Sequence, residues 1–151
     1  MSASTHIASK CVTPGQASWL DTAFRIAAVG RLAWGALSLV TPRANTRLAG
    51  VDESATPELT YLIRVFGSRA LALGWGYLLS DGSARRRWRR LGLLVDVCDT
   101  ADGLAHVVRG DVRRGAAIGL TTATGAYAAL GVVGVLADLR AAESEGSVDD
   151  R

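Results

Sequence analysis

Long apolar stretches, broken by single charges, alternate with short connections rich in proline, arginine or turn residues along most of this chain. The pattern predicts four helices, each close to the roughly 20 residues needed to cross a bilayer. The first covers about residues 18–40. Ser18 and Asp21 have the spacing of a capping pair at its start, and Thr41-Pro42 stops it. The second covers about 57–79, with Thr56 as cap, Pro57 at the first helical position and Asp81-Gly82-Ser83 as the closing turn. The third begins somewhere in the basic run Arg85–Arg90, covers about 88–109, and has Gly110 as its C-cap. The fourth, capped by Asp111, covers 112–139. Its stretch Gly115–Ala137 holds 23 residues without one charge, the strongest single membrane signal in the chain.

The expected architecture is therefore all-α. A four-transmembrane-helix antiparallel bundle occupies residues 18–140, between disordered polar tails at 1–17 and, acidic, at 141–151. A soluble all-α bundle is the alternative, because charges interrupt the first three segments. The first 17 residues lack the charged start, apolar run and cleavage site of a signal peptide. The concentration of arginine between the second and third helices predicts a cytoplasmic loop there, so both termini are expected in the cytoplasm of a multi-pass cell-membrane protein. That arginine run also suits contact with anionic headgroups.

The interrupting charges fall in the middle portions of their helices: Arg31 in the first, Arg64 and Arg69 in the second, Asp96, Asp99 and Asp102 in the third. Each costs about 2.5–3.5 kcal/mol at a helix centre, so six unpaired groups would cost on the order of 15–20 kcal/mol. Three of each sign sum to zero, and pairing removes most of the penalty. At about 100° per residue, Asp96, Asp99, Asp102 and His106 share roughly a third of the third helix's circumference. Depth matching along antiparallel helices predicts Arg64 with Asp102, Arg69 with Asp96 or Asp99, and Arg31 with the same acidic stripe. These seven residues form the candidate polar cluster.

Small residues favour close approach: Gly67, Gly74 and Gly76 in the second helix, and the weaker Gly115-x-x-x-Gly119 in the fourth. Thr121, Thr122 and Thr124 are expected to bond chiefly to their own backbone. Trp34, Trp75 and Trp88 suit interface or packing positions.

Composition narrows the chemistry. Mean hydropathy is only +0.22, since polar tails dilute the apolar core, so the local pattern decides the class. Sixteen of the 17 basic residues are arginine, a bias of GC-rich genomes such as those of actinobacteria. Net charge is +3, and no aromatics interleave with basic residues in a base-stacking pattern, so no nucleic-acid partner is expected. Cys11 lies in a polar tail and Cys98 inside a helix, so they are not expected to pair. With no CxxC, no metal-ligand spacing and His6 as the only other histidine, neither metal nor haem nor any other cofactor is expected. No Ser-His-Asp, Cys-His, phosphate-loop or dinucleotide pattern occurs, so no enzyme is expected.

Asp99-Thr100-Ala101-Asp102-Gly103 resembles the start of the CDP-alcohol phosphotransferase signature, whose aspartates hold divalent metal. The likeness stops there: Ala105-His106 is out of step with the family's alanine-arginine pair, and no aspartate lies between Val112 and Ala137. Arg64-Val-Phe-Gly-Ser-Arg69, followed by the aspartates of the third helix, resembles uncharacterised small four-helix membrane proteins of bacteria. That resemblance implies the four-helix fold and no particular activity. The expectation is a structural, accessory or partner-binding membrane protein, with lipid and another membrane protein or itself as partners. A small transporter or proton relay using the Asp96, Asp99 and Asp102 ladder is the alternative.

Overall fold

The computed structural model describes the backbone of residues 14–50 and 55–149 and the side chains of 19–50 and 55–142. Among these residues it is all-helical, with no strand: α1 (Pro14–Val40), α2 (Pro42–Ala49), α3 (Pro57–Leu78), α4 (Gly82–Arg109) and α5 (Arg114–Asp149). Helix α1 packs along α3, and α4 along α5; these two pairs meet less extensively.

Both pairs are antiparallel seams built on a seven-residue interval. In the first, Gly35 faces Gly67 and Ala28 faces Gly74. A Cβ added at Gly67 would lie 2.7 Å from Ser38 Cβ and 2.9 Å from the Gly35 carbonyl oxygen, and one at Gly74 would lie 2.9 Å from the Ala28 carbonyl oxygen. Only hydrogen in place of a side chain lets these backbones approach so closely. In the second seam Leu93 meets Gly131, the Thr100 and Thr124 hydroxyls lie 3.1 Å apart, and Gly103 meets Thr121. A sustained interval of seven keeps each contact stripe facing its partner, as in a coiled coil. The small residues expected at Gly67, Gly74 and Gly76 are thus in contact, Gly76 against Trp88. Gly115 and Gly119 are not: nothing lies within 4 Å of a Cβ at either, so that motif faces outward.

Several boundaries differ from expectation. Helix α1 starts at Pro14, so Asp21 lies well inside it and pairs with Arg25 at 2.7 Å instead of capping. The expected tail overlaps this first turn; residues 1–13, with Cys11 and His6, lie outside the described residues. Pro42 does end α1, but at the first position of α2 it also opens a new helix, as proline at N1 allows. Thr56 caps α3 as expected, accepting from the Leu59 amide at 3.2 Å. Helix α4 starts at Gly82, six residues early, because arginine is a good helix former and the run Arg85–Arg90 is its first turns. Asp111 lies in the turn before α5, where its carboxylate meets His106 at 2.7 Å rather than capping. Helix α5 then continues to Asp149, through most of the stretch expected to be loose.

Burial runs opposite to the soluble pattern. The buried apolar side chains among the described residues are few: Leu20, Phe24, Ala28, Leu73, Tyr77 and Ala117. Large apolar groups stand exposed on all four long helices, including Ile26 and Val29, Leu62 and Phe66, Leu94 and Val108, Leu120 and Leu136. Meanwhile Asp96 is buried.

Candidate functional site

Among the described residues, four pairs of charges cross between helices. Arg31 of α1 donates to Asp96 of α4 at 2.5 Å, and its guanidinium lies 4.4 Å from the centre of the Tyr127 ring on α5. One side chain therefore ties three helices. Arg69 of α3 donates to Asp99 of α4 at 2.5 Å, over Phe66 of its own helix. These two pairs are what depth matching anticipated for Arg31 and Arg69.

The other two were not anticipated. Arg89 of α4 donates to both carboxylate oxygens of Asp138 on α5, at 2.6 and 2.7 Å, and covers the Phe24 ring. Arg85 approaches Asp21 of α1 at 3.5 Å, and Asp21 also accepts from the Tyr77 hydroxyl at 3.2 Å. Arg85 donates further to the Ser80 carbonyl at 2.7 Å. The run from Arg85 to Arg90 is thus divided: Arg85 and Arg89, four apart, face the bundle, whereas Arg86, Arg87 and Arg90 are exposed. A signal was present in the sequence. Asp138 is the first charge after the uncharged stretch of the last helix, level with the start of the arginine run.

The predicted Arg64–Asp102 pair is absent. Along α4 the acidic side chains become steadily more exposed, from 4% for Asp96 to 26% for Asp99 and 75% for Asp102. Each step of three residues turns the helix face by about 60°, so Asp102 points about 120° away from Asp96. Arg64 is likewise about 140° from Arg69, and it is exposed without an acidic partner among the described residues. The two groups face apart. Asp102 lies instead 3.8 Å from His106, which turns its other nitrogen to Asp111. The hydrogen bond from His106 is the main reason the Asp111 carboxyl is held below its ordinary value of 3.8.

Between the pairs lies a cavity of about 30 Å³ whose lining includes Arg31, Arg89, Asp96 and Tyr127. That is room for a water and little more. The seam hydroxyls bond back within their own helices: Thr100 donates to the Asp96 carbonyl at 2.6 Å, and Thr124 donates to its own helix as expected. No group of three or more histidine, cysteine or acidic side chains is placed to hold a metal ion among the described residues. Trp88 packs against the buried cluster around Phe24, while Trp34 and Trp75 are half exposed. Comparisons with protein families, with curated proteins and with solved structures find no match to this chain.

Proposed function

We propose that this chain is a four-span integral membrane protein of the cell membrane with a non-catalytic role, a scaffold or partner-binding module whose helices are locked by interhelical arginine–aspartate pairs. The observation that carries the reading is the inversion of polarity: charges turned inward and large apolar side chains turned outward on every long helix. A soluble monomer rarely exposes apolar surface on that scale. Among the described residues, Trp19–Val40 of α1 and Arg114–Ala142 of α5 are long and apolar enough to cross a membrane by themselves. Helices α3 and α4 reach that state once Arg69 and Asp99, and Arg31 and Asp96, neutralise each other. With the exposed Arg86, Arg87 and Arg90 cytoplasmic, both termini are cytoplasmic as well.

A relay along the aspartates is the weaker reading. Asp96 and Asp99 are each bonded to a guanidinium group on another helix, and Asp102 faces away from both.

Cys98 tests the membrane reading, since it is exposed on α4 beside the Asp96–Asp99 level. In a Cys11→Ser background, it should resist a water-soluble maleimide in intact vesicles and react with a lipid-soluble one. Ready labelling by the water-soluble reagent, or release of the chain by alkaline carbonate, argues for the soluble bundle. The Asp99→Asn variant tests the role: loss of a stable fold in detergent fits a structural pair, whereas an intact fold with lost ion flux in vesicles overturns it.

A further inference from the structure

Among the described residues, three buried side-chain polar atoms have no hydrogen-bond partner: Asn45 Oδ1, Thr121 Oγ1 and Arg89 Nε. Of these three side chains, only that of Arg89 lines the cavity of about 30 Å³ at the centre of the bundle. Its Nη2 is occupied, donating to both oxygens of Asp138. The Nε–H remains, a donor on a charged group, and leaving such a donor unmet away from solvent costs more than an ordinary hydrogen bond returns.

The same cavity touches other polar groups with capacity to spare. Asp96, whose side chain is only 4% exposed, gives one oxygen, Oδ2, to Arg31, whereas a carboxylate offers about four lone-pair positions. Tyr127 lines the cavity as well, and its hydroxyl, close against Gly30 of α1, can both donate and accept. Arg89 and Asp96 are seven residues apart, close to two helical turns, and so share a face of α4. Phe24, Leu73 and Leu130 supply apolar walls.

These features select the ligand. Arg31 and Arg89 each already hold a carboxylate, so a further ion is not what they lack. The fitting molecule is small and neutral, accepts from Nε–H and donates to a carboxylate oxygen. A water needs roughly 10–15 Å³ of such space, so the cavity takes one, or two at most.

We propose that this cavity is a binding site for ordered water, which accepts from Arg89 Nε and donates to the Asp96 carboxylate. The water joins the Arg89–Asp138 pair to the Arg31–Asp96 pair, so that α1, α4 and α5 share one hydrogen-bonded network. The assignment holds whether lipid or bulk solvent surrounds the bundle, and it stands apart from the membrane reading.

The test exposes full-length protein in a neutral detergent to a short synchrotron X-ray pulse and locates oxidised residues by mass spectrometry. Hydroxyl radicals born from an ordered water oxidise the side chains beside it, even where bulk solvent does not reach. Phe24, 8% exposed and lining the cavity, is expected to be oxidised in the parent chain. Gly92→Ala is the displacing variant. Gly92 is buried and lines the cavity, and a Cβ there meets only Arg31 Nη2, at 3.6 Å, an ordinary contact. The added methyl group takes the place of the water, so most oxidation at Phe24 should be lost while that at exposed Tyr61 is unchanged. Alanine is the better helix former, so a dry cavity gives Gly92→Ala a higher unfolding temperature than the parent. Displaced water gives a lower one, because Arg89 and Asp96 lose a partner. Gly119→Ala, with nothing within 4 Å of its Cβ, reports helix propensity alone. Unoxidised Phe24 in the parent overturns the site, and that measurement needs no variant. Equal oxidation in the parent and Gly92→Ala makes bulk solvent the source and overturns it too. A Gly92→Ala chain stabilised as much as Gly119→Ala overturns the water's part in the network.

Discussion

The middle and the outer end of this bundle carry similar numbers of charges and treat them differently. At the middle, Arg31 and Asp96 meet across helices and are nearly shielded from surroundings, and Arg69 and Asp99 meet beside them. Further along the helices, Arg64 and Asp102, matched in depth by counting residues, do not meet. The difference is rotational. Charge count and depth were complementary in both regions, but only at the middle do the two helix faces turn toward one another. Equal and opposite charges at one level are a necessary condition for pairing and an insufficient one.

That contrast is open to attack by mutation. The largest effect is expected at Asp96. Removing its carboxylate in Asp96→Ala leaves the Arg31 guanidinium buried without a counter-charge, which should cost about 3–5 kcal/mol of unfolding free energy in detergent. The double change Arg31→Met with Asp96→Leu should recover most of it, and a cycle showing no coupling would contradict the pairing. Next comes the seam glycine: Gly67→Val drives a side chain into Ser38 and the α1 backbone and should cost about 1–3 kcal/mol. Gly119→Ala, on an open face, should stay within about 0.5 kcal/mol in the same unfolding measurement. At the outer end, Asp102→Asn and Arg64→Gln should each shift stability by less than about 0.5 kcal/mol, and a cycle between them should show no coupling.

The smallest effect concerns Asp111. Because its folded-state pKa lies below the unfolded value of about 3.8, its bond to His106 contributes stability above that pH. That contribution disappears as pH falls through the folded value. His106→Ala should therefore be slightly less stable than the parent near neutrality, with the gap closing as pH drops below about 4. A gap that widens on acidification would reverse the sign of the linkage.

Much of the helical plan was legible because apolar periodicity and punctuation residues are local signals. Thr56-Pro57 marked the start of α3 to the residue, and Gly110, in the left-handed conformation at φ 69°, marked the end of α4. Helix ends lacking such punctuation were misplaced. The arginine run reads as a loop when charge is equated with exposure, yet Arg85 and Arg89 fall on the inner side of a continuous helix. Helix α2 is eight residues long, too short for periodicity to announce, and it follows a proline that reads as a stop. Among the site residues, Arg31, Arg69, Asp96 and Asp99 were recoverable from depth and sign. Arg64 and Asp102 were misassigned, because a shared third of a helix's circumference is wide enough to hold both an inward and an outward direction. Asp21 and Asp138 went unrecognised because the expected helices began and ended beside them, and a lone carboxylate at a helix end is ordinarily solvated.

The reach of α1's arginine to the acidic face of α4 bears on how such a chain is made. A ribosome delivers residues in order, so Arg31 and Arg69 emerge on α1 and α3 before the first aspartate of α4 leaves the exit tunnel. Alone, α4 does not meet the length and apolarity of a spanning helix, as α1 and α5 do. In the proposed four-span chain it would arrive beside two guanidinium groups already in place, and the earlier hairpin would serve as the template on which this less apolar segment is accepted.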